Sequence, residues 1–409
     1  MTGATPGKID AGESAASPTQ LPSLRRLNRV LIVVLLFELI LIFATWRLWF
    51  AASSLPRVPM FALFLNAPQW LVPTTSGLFV SLVASLLGIR MVADLRRSLL
   101  ISASWLQPLT LTTIVSGLFP ILLNQHCLQA WHWLTLLMLL ASLKHSNSAA
   151  ATSLQTMRMT VACIYLYSSV SRMKIQIAES MTGQVAHVLA GFLSLRLSEN
   201  QVTAVCWCFA GGELLAGLFL MSRRTRRTGI LLAMTMHLLL LLALGPLGLN
   251  HHVGVLLWNT CLITLVPTLF LKTRSDSATS PAPTSDVALG TQALRAGVFL
   301  IPLLGLFGIS DNWISWQLYS PRTEVWTLQI HLEETPHLPV TLQPFAGPPV
   351  PMQEWRPVRV DRWCLETTGA PLYPEDRFQL AILAELIQAI PEGRWRISIS
   401  EPQTAFWKP

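Results

Sequence analysis

The chain has 409 residues, of which 52% are hydrophobic and 12% charged, against roughly 25% charged in soluble domains. That balance excludes a water-soluble enzyme and equally a disordered chain, which needs low hydrophobicity and dense charge. The net charge of +8 is unevenly spread: residues 310–409 hold 8 basic and 12 acidic side chains, leaving a net of +12 before them. Basic residues beside apolar runs of bilayer length set orientation rather than bind nucleic acid.

The first 28 residues are polar and rich in Ala, Ser, Gly, Thr and Pro, which predicts a disordered cytoplasmic tail. The run from Val30 to Phe50 is too long for the core of a signal peptide and lacks a small-residue cleavage site. Hydropathy predicts nine spans, at 30–50, 71–92, 99–122, 127–143, 151–171, 201–221, 229–248, 253–271 and 292–309. The fold class expected is an all-α polytopic bundle of about nine transmembrane helices, with its membrane part over 29–272 and 292–309. The stretch Val185 to Leu197 is apolar but too short to cross, and reads as an interfacial or re-entrant helix.

With the N-terminus in the cytoplasm, the alternation places 15 basic residues in inner connections and 5 in outer ones. A Ser/Pro/Thr-rich linker over 273–291 precedes the last span. An odd number of spans puts 310–409 on the outer, periplasmic face as a small α+β domain. Within it, 325–332 and part of 356–365 alternate like strands, 377–390 carries a helical period, and 395–399 closes as a strand. Six of its seven tryptophans (313, 316, 326, 355, 363 and 395) either form its core or anchor a partner. The six cysteines, with Cys206 and Cys208 two apart, read as small buried hydrophobes or, alternatively, include a redox pair.

Ionisable groups within spans are costly, so Glu38, Glu213 and His237 are site candidates. Glu213 and His237 lie on helices joined by the turn containing Arg223, Arg224, Arg226 and Arg227, and form a possible proton-relaying or helix-locking pair. A second group converges on the outer face: Asn124, Gln125 and His126; Arg172, Lys174 and Gln176; then Asn250, His251, His252, Trp258 and Asn259. The histidines lack a nearby carboxylate, which speaks against a metal site. No phosphate-binding loop, zinc-protease, nucleophile-elbow or dinucleotide motif occurs.

The segment Ile164 to Arg172 (IYLYSSVSR) resembles the span end of the HTTM proteins, bacterial relatives of the vitamin K-dependent gamma-carboxylase. Gly183 matches the family's glycine after that helix. Gly212-Glu213-Leu214-Leu215, the arginine-rich turn and Met236-His237-Leu238 resemble a helix pair shared with DoxX/MauE-like membrane proteins. Gly245 to His252 with Leu257-Trp258-Asn259, and Trp313 to Pro321, resemble further family segments. The resemblance implies redox- or quinone-linked chemistry in an outer-face pocket, with a quinone or lipid as ligand. The position matching the family's lysine base is Arg172, which stays protonated and cannot act as a base.

On this reading Arg172, Asn250, His126 and Asn259 bind the substrate. His251, His252, Lys174, His237 and Glu213 carry the chemistry, with a neutral histidine as the base. The contrasting expectation is a non-enzymatic scaffold or accessory protein whose outer domain binds a protein partner.

Overall fold

The computed structural model describes residues 21–51, 55–96, 103–143, 147–173, 178, 180–271, 289–318 and 325–400. In chain order the helices are α1 (Leu21–Ala44), α2 (Trp46–Phe50), α3 (Leu71–Leu95), α4 (Ala103–Leu123), α5 (Ala130–Ala141) and α6 (Asn147–Arg172). They continue with α7 (Met181–Phe192), α8 (Glu199–Met221), α9 (Arg226–Leu244), α10 (Val253–Phe270) and α11 (Leu289–Gly305). Strand β1 (Val325–His331), strand β2 (Trp355–Val358), helices α12 (Val360–Thr368) and α13 (Asp376–Ile387), and strand β3 (Trp395–Ser400) complete the chain.

Among the described residues, six helices are long and apolar enough to cross a bilayer: α1, α3, α4, α8, α9 and α10. Each of the other three predicted spans holds a helix that falls short in one respect. α5 has 12 residues, about 18 Å at 1.5 Å per residue, and α11 has 17, so neither reaches the ~30 Å of hydrocarbon. α6 has length but not hydropathy, because it is enclosed: Thr156, Thr160, Ser168, Ser169 and Ser171 are buried against neighbouring helices rather than exposed to lipid. The first predicted span breaks at Thr45, whose hydroxyl bonds back to the Leu41 carbonyl and leaves α2 as a separate turn. Helix α1 begins at Leu21, inside the stretch expected to be disordered; residues 1–20 and the linker positions 273–288 lie outside the described residues.

Helix direction sorts the charges. Arg26 and Asn28 of α1, Arg90 and Asp94 of α3, Arg158 of α6, Arg226 of α9 and Arg295 of α11 gather at one end of the bundle. Asn28 donates to the Arg90 carbonyl, Arg158 to the Leu269 carbonyl and Arg295 to that of Thr152, each covering backbone at a helix end. The C-terminal region sits on the opposite end, where Arg47 donates to the Glu366 carbonyl and Arg377 to the Gln125 side chain.

That region holds an antiparallel sheet in the order β2-β1-β3, with Leu328 facing Val358 on one side and Ile397 on the other. Only the first part of the expected strand over 356–365 is extended. From Val360 the apolar positions Val360, Trp363 and Cys364 recur at helical spacing and are buried, and Gly369 ends α12 in the left-handed region at φ 75°. Trp313, Trp316 and Trp363 are buried and belong to the core, while Trp326, Trp355 and Trp395 are half-buried. The apolar core runs without a break from Leu31 and Trp49 of the bundle to Leu328, Tyr373 and Phe378. The C-terminal region is thus a cap fused to the bundle end by a shared core.

Candidate functional site

Helices α6 and α8 approach closely because their facing positions are small. A Cβ added at Gly217 would come within 2.9 Å of Leu166, and the Ser169 hydroxyl donates to the Ala210 carbonyl at 2.6 Å. Arg172 is the last residue of α6. Its guanidinium turns back along the helix, donating from Nε to the Ser168 carbonyl (3.2 Å) and from NH2 to the Ser168 hydroxyl (3.0 Å), and reaches an ion pair with Glu213 of α8. A cation on the final turn also meets the negative end of the helix dipole.

Next to this pair lies a second polar chain. Tyr165 of α6 meets His237 Nε2 of α9 at 2.9 Å, and His237 Nδ1 meets Asn259 Oδ1 of α10 at 2.8 Å. The Asn259 amide nitrogen donates to the Val255 carbonyl at 2.8 Å, which orients the amide with its oxygen toward the imidazole. Neutral His237 therefore carries its proton on Nδ1, and bare Nε2 accepts the Tyr165 hydroxyl proton. All three side chains are buried, Tyr165 to 1% exposure.

Both chains line one cavity of about 80 Å³, several times the 10–15 Å³ that a single water requires. Arg172, Glu213, Tyr165, His237, Asn259 and His251 supply its polar groups; Ile164, Val185, Phe209, Met236, Leu240, Val255 and Trp258 supply apolar wall. Leu318, from the segment that follows α11, also lines it. Burial lowers the affinity of His251 for its proton relative to an ordinary imidazole.

Of the residues the sequence singles out, Arg172, Glu213, His237, His251 and Asn259 are brought together here. Three others are placed elsewhere. Asn250 is exposed and left-handed at φ 48°, serving the turn between α9 and α10, where Asn tolerates that conformation. His252 accepts the Gly254 amide as N-cap of α10 and packs against Gly369. His126 lies under the cap, bonded to the Pro371 carbonyl at 2.8 Å. Lys174 and Gln176 lie outside the described residues. Among the described residues no three His, Cys, Asp or Glu side chains gather as a metal would require. Cys206 is buried and Cys208 exposed, so the two occupy different faces of α8.

Tyr165 is the participant that polarity alone does not flag, since tyrosine is ordinary in apolar segments. Its signal is its place seven residues before Arg172, two turns back on the same face. Helix α7 also contributes, with Met181, Thr182 and Val185 on the cavity wall. It docks through Gly183, where an added Cβ would come within 1.7 Å of the Ala178 carbonyl oxygen, a backbone atom that cannot swing aside. Gly183→Ala is expected to displace the start of α7, destabilising the protein by about 1–3 kcal/mol, and thermal unfolding in detergent measures it.

Fold and site together define a multi-pass helical membrane protein with a polar-lined cavity between its helices. No family model, no curated protein and no solved structure matches the chain.

Proposed function

We propose that the cavity is the binding site of an amphipathic ring compound of the quinone type, taken from the membrane and held for proton- or redox-linked chemistry at the outer face. The observation that carries the reading is the convergence of Arg172, Glu213, His237, His251 and Asn259, from four helices and one connection, on a single apolar-walled space. A cavity lined by apolar side chains and a few convergent polar groups is the usual form of a small-molecule site. Arg172 is placed to hold an anionic or carbonyl oxygen, while Phe209, Met236, Leu240 and Trp258 accommodate the ring. The likeness of 155–271 to HTTM and DoxX/MauE-like proteins supports the same reading, since all five residues fall within it. With the arginine-rich end in the cytoplasm, the cavity and the cap, at the opposite end of the bundle, lie toward the outside.

The test uses the full chain in lipid nanodiscs with 2-methyl-1,4-naphthoquinone as probe. Saturable quenching of tryptophan fluorescence is expected, and Trp258→Phe is expected to remove a defined part of the quenched signal. Arg172→Gln is expected to weaken binding by about tenfold, the scale of one charge-assisted hydrogen bond. Non-saturable quenching that Trp258→Phe leaves unchanged would overturn the assignment.

A further inference from the structure

The hydrogen-bond chain Tyr165–His237–Asn259 has a direction, and the direction says what the cavity does to its ligand. Asn259 is committed through its amide nitrogen to the Val255 carbonyl, so its oxygen fixes the proton of neutral His237 on Nδ1. Nε2 then holds the lone pair that takes the Tyr165 proton. With its own proton turned toward His237, Tyr165 presents only oxygen lone pairs to the rest of the cavity. In this resting arrangement Tyr165 offers a ligand an acceptor and no donor.

We propose that Tyr165 is the proton-accepting group of this site, discharging onto His237, and that the ligand is bound as a protic acid of the phenol or enol class. The inference rests on the cavity being a ligand site, as argued above. The step balances without a further reactant. The ligand O–H bond breaks and its proton forms a new O–H bond at Tyr165, as the original Tyr165 proton forms an N–H bond at His237 Nε2. The ligand is left as an oxyanion and His237 as an imidazolium, with no change in oxidation state. Asn259 is a positioning residue: its oxygen accepts from Nδ1–H in both protonation states and selects the tautomer that keeps Nε2 free. The charged and titratable groups facing the pair are Arg172, Glu213, His251 and the Cys261 thiol of α10. Arg172 is placed to stabilise the oxyanion, and its ion pair with Glu213 keeps its charge from opposing the new imidazolium in full.

4-Nitrophenol serves as the probe because its anion absorbs in the visible, and 4-nitroanisole serves as the same ring without the acidic proton. In wild-type protein the bound phenol is expected to ionise at least one pH unit below its value in free solution. The anisole is expected to bind at least tenfold more weakly than the phenol. Tyr165→Phe is expected to return the ionisation of bound probe to its solution value and to bind the phenol no more tightly than the anisole, and His237→Gln is expected to return the ionisation to its solution value. Asn259→Asp, which adds a negative charge beside Nδ1–H, is expected to shift ionisation further down, an effect that mere support of the fold would not produce. Ionised probe bound equally by wild type and by Tyr165→Phe, the milder of the two relay variants, would overturn the relay and leave the cavity assignment standing. No saturable binding of either probe to the wild type would overturn both.

Discussion

Replacing Glu38 by Leu is expected to lower the stability of the bundle by about 3 kcal/mol, the cost of stranding the partner of a buried polar pair. Glu38 sits in the middle of α1 at 1% exposure. One carboxylate oxygen meets His132 Nδ1 of α5 at 2.6 Å, the other accepts the Thr135 hydroxyl at 2.7 Å, and His132 Nε2 donates to the Gly117 carbonyl of α4 at 3.0 Å. One carboxylate thus ties three helices, inside an aromatic shell of Trp49, Trp131 and Phe79 around the imidazole. Gly117 is part of the joint, since a Cβ there would come within 2.7 Å of the Phe79 ring. In the Leu variant His132 loses its partner where water cannot replace it, while the Thr135 hydroxyl falls back on the Trp131 carbonyl. The apparent Tm in detergent is expected to fall by roughly 5 °C or more. A Glu38→Leu/His132→Leu double variant is expected to regain part of the loss, because two apolar groups leave nothing uncompensated. A double variant less stable than the sum of the two single losses would show that the pair is not the energetic unit.

That lock illustrates where the sequence is legible and where it stops. Glu38 stands out by composition, as a carboxylate in an apolar run, but its partner does not. His132 lies in a segment flanked by Trp131 and Trp133, and nothing in the local pattern says that α5 crosses α1 and α4 at that height. The same holds at the cavity. Glu213 and His237 are conspicuous, and their helices are adjacent through the arginine turn, yet they do not bond to each other. Each is claimed by a residue of α6, Glu213 by Arg172 and His237 by Tyr165. Spacing along the chain reveals which helices are neighbours in sequence; it does not reveal that side chains of α6 reach both.

The length of α6 is legible, and its polarity is legible as a weakness in the hydropathy. That weakness marks the helix that is enclosed by others, since serine and threonine bond back to the carbonyls of their own helix where lipid would offer nothing. The histidines at the cap end of the bundle teach the opposite lesson. His126, His251 and His252 share one end of the molecule, as the alternation of charge suggests, but sharing an end is weaker than sharing a cavity. Only His251 turns inward; His252 is used up in capping α10, and His126 is covered by the C-terminal region. That region is the feature least legible in sequence, because its acidic balance and strand-like stretches describe an independent domain while its core is continuous with the bundle.

The seam between cap and bundle is expected to weaken as pH falls from about 6.5 toward 4, by about 3 kcal/mol in total from His126 alone. His126 is fully buried, its Nε2 donates to the Pro371 carbonyl, its Nδ1 has no hydrogen-bond partner, and its ring packs against Phe378. Burial without a partner for the second proton holds its pKa down at about 4, below the ordinary 6.5. The sign follows from which state binds protons. Between 4 and 6.5 the unfolded chain protonates this histidine and the folded one does not, so stability rises with pH through that window and is fully present above it. His251 and His252 are displaced in the same direction by burial and add to the slope. The rest of the seam is set against this loss: Arg377 bridges Asp311 and Gln125, and Tyr373 donates to Asp311. Separation is therefore expected to be partial, with protection of the amides of α12 and α13 against hydrogen exchange falling before that of α6 and α8. His126→Gln keeps a donor for the Pro371 carbonyl and removes its titration, so its exchange profile is expected to be clearly shallower between pH 6.5 and 4, with the remaining slope left to His251 and His252. A variant as steep as the wild type would assign the pH dependence to His251 and His252 instead.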